Sequence, residues 1–164
     1  MLAAANFSFV LNDGAIYGYF STVGLQALDL YDGDAAPPPI LDGAPHRASG
    51  RILHELLERY FSGAAVSFCE IPVDLESGTP FQQSVWRAII EIPYGNWTTY
   101  GALARRIGKP RAARAVGMAL GANPVSIVAP CHRVLAANGG LGGFSAGLHW
   151  KKRLLELEKI PFLE

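Results

Sequence analysis

With 164 residues, half of them apolar and 17% charged, the chain is long enough for one compact domain or two small ones, and it is too apolar for intrinsic disorder. The formal net charge of zero hides an asymmetry: residues 1–100 carry eleven acidic groups against four basic ones, whereas residues 101–153 carry nine basic groups and no acid, a pattern suited to a polyanion contact or to a solvated basic face. No run of 18 apolar residues and no basic-flanked signal pattern is present, and the two cysteines, Cys69 and Cys131, make neither a disulfide framework nor a four-ligand zinc site, so a cytoplasmic protein without a membrane contact is expected.

In chain order, residues 6–13 and 15–24 read as strands rich in aromatic and β-branched residues, with a hairpin signal at Asp13-Gly14, and residues 25–31 extend the meander. The segment 32–47, with four prolines and three aspartates, reads as a loop. A helix follows over 51–61, with Ser49 placed to cap it and Ile52, Leu53, Leu56, Leu57, Tyr60 and Phe61 at helical spacing; His54 on it reads as a packing or surface residue. Residues 66–75 read as a strand or an extended crossover containing Cys69.

A second start signal lies at Thr79, Pro80 and Gln82, the pattern of a capping box, and the boundary between an N-terminal α/β domain (1–77) and a C-terminal domain (78–164) is placed there. Beyond it the expected helices are 81–90, 100–107, 112–120 and 149–159. The second and third, joined at Gly108-Lys109-Pro110, have the layout of a helix-turn-helix within the acid-free region, or of an ordinary helical hairpin. The later helix carries Arg114 outward, and its face of Ala113, Ala115, Met118 and Ala119 reads as small enough for close approach to another surface. The fold class is therefore α+β: a small antiparallel sheet with a helix, then a mainly helical, winged helix-turn-helix-like part.

Chemistry concentrates at Pro130-Cys131-His132-Arg133. His132 and Arg133 are placed to favour a thiolate at Cys131, whose unperturbed pKa is near 8.5. If the segment is extended, adjacent side chains diverge, and His132 reaches the sulfur through a bridging water. A base of this kind is usually held by a third group, and Glu156, Glu158 and Glu164 are the late carboxylates. The glycine-rich run 138–147 lacks a phosphate-loop ending and reads as a mobile or closely packed loop.

Taken together, residues 130–134 (PCHRV), the Asn123-Pro124 pair, RAARAVG at 111–117, FSAGL at 144–148 and WKKRLLELE at 150–158 resemble the O6-alkylguanine-DNA alkyltransferase family. The likeness runs from about Leu75 to Glu158. It implies single-turnover repair of double-stranded DNA, in which Cys131 takes the alkyl group from O6 of guanine, with O4-alkylthymine left open as a second substrate. By the same likeness His132 deprotonates Cys131 through water, Glu158 holds His132, Tyr100 protonates the departing base and Asn123 orders the hinge. Val134, Ser145 and Phe144 line the base pocket, with Lys151 near its edge. Arg114 fills the gap left by an extruded nucleotide, while Ala113, Ala115 and Arg133 complete a minor-groove surface. Phe144 stands where many members carry tyrosine, which leaves tolerance for bulky adducts open. The resemblance implies no cofactor, and Cys69, with only His46 and His54 nearby in sequence, gives no reason to expect zinc; a monomer is expected. Three rivals remain: a damage sensor that flips without accepting the alkyl group, against which Cys131 argues; a sequence-reading winged-helix factor; and a cysteine hydrolase, which would turn over.

Overall fold

The computed structural model describes residues 5–33 and 47–164. Among them the chain divides into two compact units, one of residues up to Leu75 together with Pro124–Ser126, the other of Glu76–Asn123 and Ile127–Glu164. The fold is α+β. None of the described helices is long and apolar enough to cross a membrane.

In the first unit, β1 (Phe7–Leu11), β2 (Gly14–Phe20) and β3 (Leu25–Asp32) form an antiparallel meander in the order β1-β2-β3, with Phe9 opposite Ile16 and Ile16 opposite Leu30. The tight turn falls on Asn12-Asp13, one residue earlier than the sequence signal, because Gly14 already pairs with Leu11. Helix α1 (Arg47–Phe61) buries Leu53, Leu56, Leu57 and Tyr60. The expected cap at Ser49 is overturned, since Ser49 lies inside the first turn of this helix. His54 meets Phe9 edge-to-face and is otherwise exposed, a packing role. Residues 66–75 form a crossover that bridges to the sheet at Leu25 and Val73, and Cys69 on it is exposed. The proline-rich loop expectation falls largely on residues 34–46, and His46 with it, outside the described residues.

The second unit opens on α2 (Pro80–Ile90), where the capping box is complete: Gln82 N–H donates to Thr79 Oγ1 at 3.2 Å and Thr79 N–H donates to Gln82 Oε1 at 2.8 Å. Helix α3 (Tyr100–Arg106) is capped by Thr99 and stops in a Schellman motif, with Gly108 N–H donating to Arg105 O and Lys109 N–H to Ala104 O. Gly108 takes φ +72°, a conformation that costs glycine little, and this releases the chain into α4 (Ala113–Gly121). The buried Trp86 Nε1–H of α2 donates to Ala119 O of α4 at 2.8 Å, fixing those two helices. Two features were not legible in the sequence: a two-residue parallel pair, β4 (Thr98–Thr99) with β5 (Val134–Leu135), and a single 3-10 turn over Cys131–Arg133. The last helix, α5 (Leu148–Leu157), ends two residues short of the expected Lys159, with Glu158 as its C-cap.

Because both capping-box bonds are local to α2, Thr79→Ala should cost about 1 kcal/mol of stability in urea unfolding, with no change in the fold seen by circular dichroism.

Candidate active site

The geometry is set by a carboxylate. Glu158 is 2% exposed, and its oxygens accept hydrogen bonds from His132 Nε2 at 2.6 Å, Arg133 Nε at 2.7 Å, Arg133 Nη2 at 3.0 Å and Gly95 N–H at 3.1 Å. Arg133 Nη1 also donates to Ile92 O. Burial pushes the Glu158 carboxyl upward, but the bonds from His132 and Arg133 outweigh it and bring the pKa down to about 2. An ionised Glu158 that receives Nε2–H leaves Nδ1 of His132 as the lone-pair nitrogen. Burial also lowers the His132 pKa; Glu158 opposes this, but the Arg133 charge has already neutralised that carboxylate, and Arg133 and Lys151 both disfavour a further cation. His132 is thus held toward its neutral form, with its ring oriented by Glu158.

The expectation that Arg133 sits on a DNA-facing surface is overturned: its guanidinium is buried and spent on Glu158 and Ile92. The expectation of an extended Cys131-His132-Arg133 segment is overturned as well, since these residues make a 3-10 turn. Desolvation raises the pKa of Cys131, and the groups that pull it back are the Asn123 side chain, the Lys151 charge and the backbone N–H groups of Cys131 and His132. Asn123 also donates from Nδ2 to Ala129 O at 2.8 Å, so its amide closes the segment leading to the sulfur. Within that segment Ile127 is buried at φ +72°, a strained conformation for a β-branched residue that costs about 1–3 kcal/mol.

Cys131 lines a cavity of about 730 Å³, within the size range of small-molecule sites, roughly 300–1,000 Å³, together with Tyr100, Arg114, Met118, Phe144 and Ser145. Ala113 is at its rim, whereas Ala115 is exposed outside the lining. Val134 departs from expectation: it is fully buried in β5, does not line the cavity, and its carbonyl is taken by Lys151. Lys151 likewise is not an edge residue. It is 1% exposed, and its ammonium donates to Val134 O at 2.8 Å, to Leu141 O and to Gly143 O at 3.3 Å, which ties the glycine-rich loop to the strand after the cysteine. Burial lowers its pKa to about 8, with Cys131 opposing. The loop is closely packed at this point: Gly142 has φ +65°, and any Cβ there would overlap the Tyr100 hydroxyl. Tyr100 has its pKa raised, chiefly by burial, while the Gly143 backbone acts in the opposite sense, so the phenol stays a proton donor.

Of the nine cations in residues 101–153, Arg133 and Lys151 are internal, Arg106 and Lys152 pair with Glu91 and Glu164, and Arg153 lies over the Trp150 ring at 5.0 Å. Arg105, Lys109, Arg111 and Arg114 are exposed on α3, α4 and their connection.

With this geometry in place, comparison is decisive. Over 139 residues, 83% of this chain and 85% of the relative, the sequence is 45% identical to a methylated-DNA–protein-cysteine methyltransferase of Methanosarcina barkeri. The chain belongs to this family. Residues 80–160 match the family described as 6-O-methylguanine DNA methyltransferase, DNA binding domain. A relative of the same name from Haemophilus influenzae is 53% identical over 107 residues, and the aligned part spans 65% of this chain but only 59% of that relative's length. Among solved structures, that of Mycobacterium tuberculosis OGT in complex with DNA superposes with a TM-score of 0.77 at 39% identity, covering 93% of this chain and 91% of that one. The O6-methylguanine-DNA methyltransferase of Pyrococcus kodakaraensis gives a TM-score of 0.59 at 26% identity.

Glu158→Gln would strand the buried Arg133 charge, so it should cost about 3–5 kcal/mol in denaturant unfolding. The wild-type chain should lose the same contribution as pH falls. The folded pKa of Glu158 lies below its ordinary 4.5, so the stabilisation is complete above 4.5 and fades toward 2, and the variant should lack that slope.

Proposed function

We propose that this chain repairs alkylated DNA by moving the alkyl group from O6 of guanine onto Cys131, once per molecule. The observation that carries the reading is a cysteine at the wall of a cavity roomy enough for a purine, with a histidine next to it in sequence held by a buried carboxylate. The relatives' names, which say methyl transfer from DNA to a protein cysteine, support the same chemistry.

The transfer balances with groups of this chain and the damaged base alone. The Cys131 thiol proton passes to His132 Nδ1, with one water as relay. The sulfur attacks the alkyl carbon in line, the S–C bond forms, and the C–O6 bond breaks with its electron pair retained by guanine. Tyr100 donates its proton to N3 of the departing base, which makes that base a better leaving group. Lys151 favours the thiolate electrostatically, and Asn123 favours it by hydrogen bonding. The product thioether has no leaving route, so no turnover follows; this separates the reading from a cysteine hydrolase. A cysteine at this position also separates it from a sensor that only binds.

An alkyl carbon on O6 is inside the duplex stack, so the nucleotide has to swing out at a cost of roughly a few kcal/mol, less for a poorly paired lesion. We read α4 as the minor-groove element, with Ala113 and Ala115 permitting close approach and Arg114 filling the vacated place in the stack. The exposed cations Arg105, Lys109 and Arg111 would meet phosphates. We assign residues 78–164 to DNA binding and reaction, and read the protein as acting as a monomer, since every named group lies on one chain. Phe144 and Ser145 line the cavity beside the base, with adduct size and O4-alkylthymine as the open substrate questions.

Intact mass spectrometry after incubation with an O6-methylguanine duplex should show one methyl group added per chain, located on Cys131 and absent in Cys131→Ala; multiple turnover would contradict the reading. The rate should fall as pH drops below 6.5 through the lowered His132 pKa, because the imidazolium cannot accept the thiol proton. Arg114→Ala should slow repair in duplex DNA while sparing reaction with free O6-benzylguanine. Equal losses on both would remove Arg114 from the extrusion step.

A further inference from the structure

Met118 stands out on α4. The sequence pattern groups it with a small alanine face, yet its side chain is large, apolar and 74% exposed, while Val116, Ala119 and Leu120 are turned inward. It follows Arg114 by one helical turn, so the two side chains are neighbours on one face, and both line the cavity that holds Cys131. Gly117 and Gly121, beside it and one turn on, carry no side chains to confine it. The exposed cations on α3, α4 and their connection are Arg105, Lys109, Arg111 and Arg114, which suit phosphates; an exposed thioether on the same helix as Arg114 suits the apolar face of a base or a sugar.

Resting on the function proposed above, we propose that Met118 is a second, apolar wedge: as the damaged nucleotide moves into the cavity, Met118 packs into the opened step beside Arg114 and so favours DNA substrates over the free base. An unbranched, polarizable side chain adapts to whichever base lies next to the lesion, which suits a search that does not read sequence. Minor-groove proteins use methionine, among other apolar residues, to prise base steps apart. Met118 touches no reacting atom in this scheme. It is a positioning residue, and its loss should affect delivery of the base rather than transfer to the sulfur.

The test compares the full wild-type chain with Met118→Ala and Met118→Leu, following methyl addition by intact mass against time. The substrates are O6-methylguanine in a duplex and O6-methylguanine as the free base at high concentration. Truncation of such an anchor should slow the duplex reaction by about tenfold, change the free-base reaction by less than about twofold, and be rescued by leucine. Thermal unfolding should be unchanged in both variants, as the side chain is exposed. An unchanged duplex rate in Met118→Ala would overturn the proposal, and so would equal losses on both substrates, which would make Met118 a wall of the base pocket. A wild-type chain that gains methyl from neither substrate would overturn the alkyl-transfer reading itself, and this proposal with it.

Discussion

A single buried carboxylate organises the reactive half of this protein. Glu158 caps the C-terminus of α5, yet it bonds His132 and Arg133 from the 3-10 turn and Gly95 from the loop after α2. Bringing so much charge out of water is costly, and only near-complete hydrogen bonding offsets it. The return is orientation. Burial and the Arg133 and Lys151 charges outweigh the pull of Glu158 and hold the imidazole toward its neutral form, and Nε2–H on Glu158 leaves Nδ1 as the ring nitrogen with the lone pair. Arg133 therefore shapes the surroundings of His132 as much as Glu158 does.

The cysteine is managed by a different balance. Burial opposes the thiolate, and the groups that favour it, Asn123 and Lys151, do so from fixed positions. Lys151 has two effects at once, since the ammonium that faces the sulfur electrostatically also gathers the carbonyls of Val134, Leu141 and Gly143. Pocket shape and sulfur electrostatics are thus coupled through one side chain. Tyr100 adds a third constraint, because its hydroxyl occupies the space that any side chain at Gly142 would need. A resting thiol whose ionisation is disfavoured by burial suits the single alkyl transfer proposed above.

The sequence was most legible where the interaction is short-range. The Thr79 capping box, the helix pair closed by Gly108 and the meander of β1 to β3 depend on residues a few positions apart, and their signals stand in the chain itself. What it concealed lies in long-range pairing. The partner of Arg133 is 25 positions away, so nothing local marks that guanidinium as internal, and a tally of cations assigns it to the surface. Lys151 misleads for the same reason, with its carbonyl partners up to 17 positions off. The 3-10 turn at Cys131 follows a proline and an apolar run that suit an extended segment equally well. Met118 was misjudged because it was grouped with Ala119, which is buried on the inward side of α4 while Met118 projects outward. Ser49 shows the limit of cap signals: a favoured residue near a helix start need not be its cap.

The proposed proton transfer requires His132 to be a neutral imidazole with its proton on Nε2. Nitrogen-15 NMR of the imidazole in the unreacted protein tests this directly. At neutral pH the account predicts a protonated Nε2, a bare Nδ1, and a titration midpoint below the ordinary 6.5. An imidazolium at neutral pH, or the tautomer with its proton on Nδ1, would contradict it.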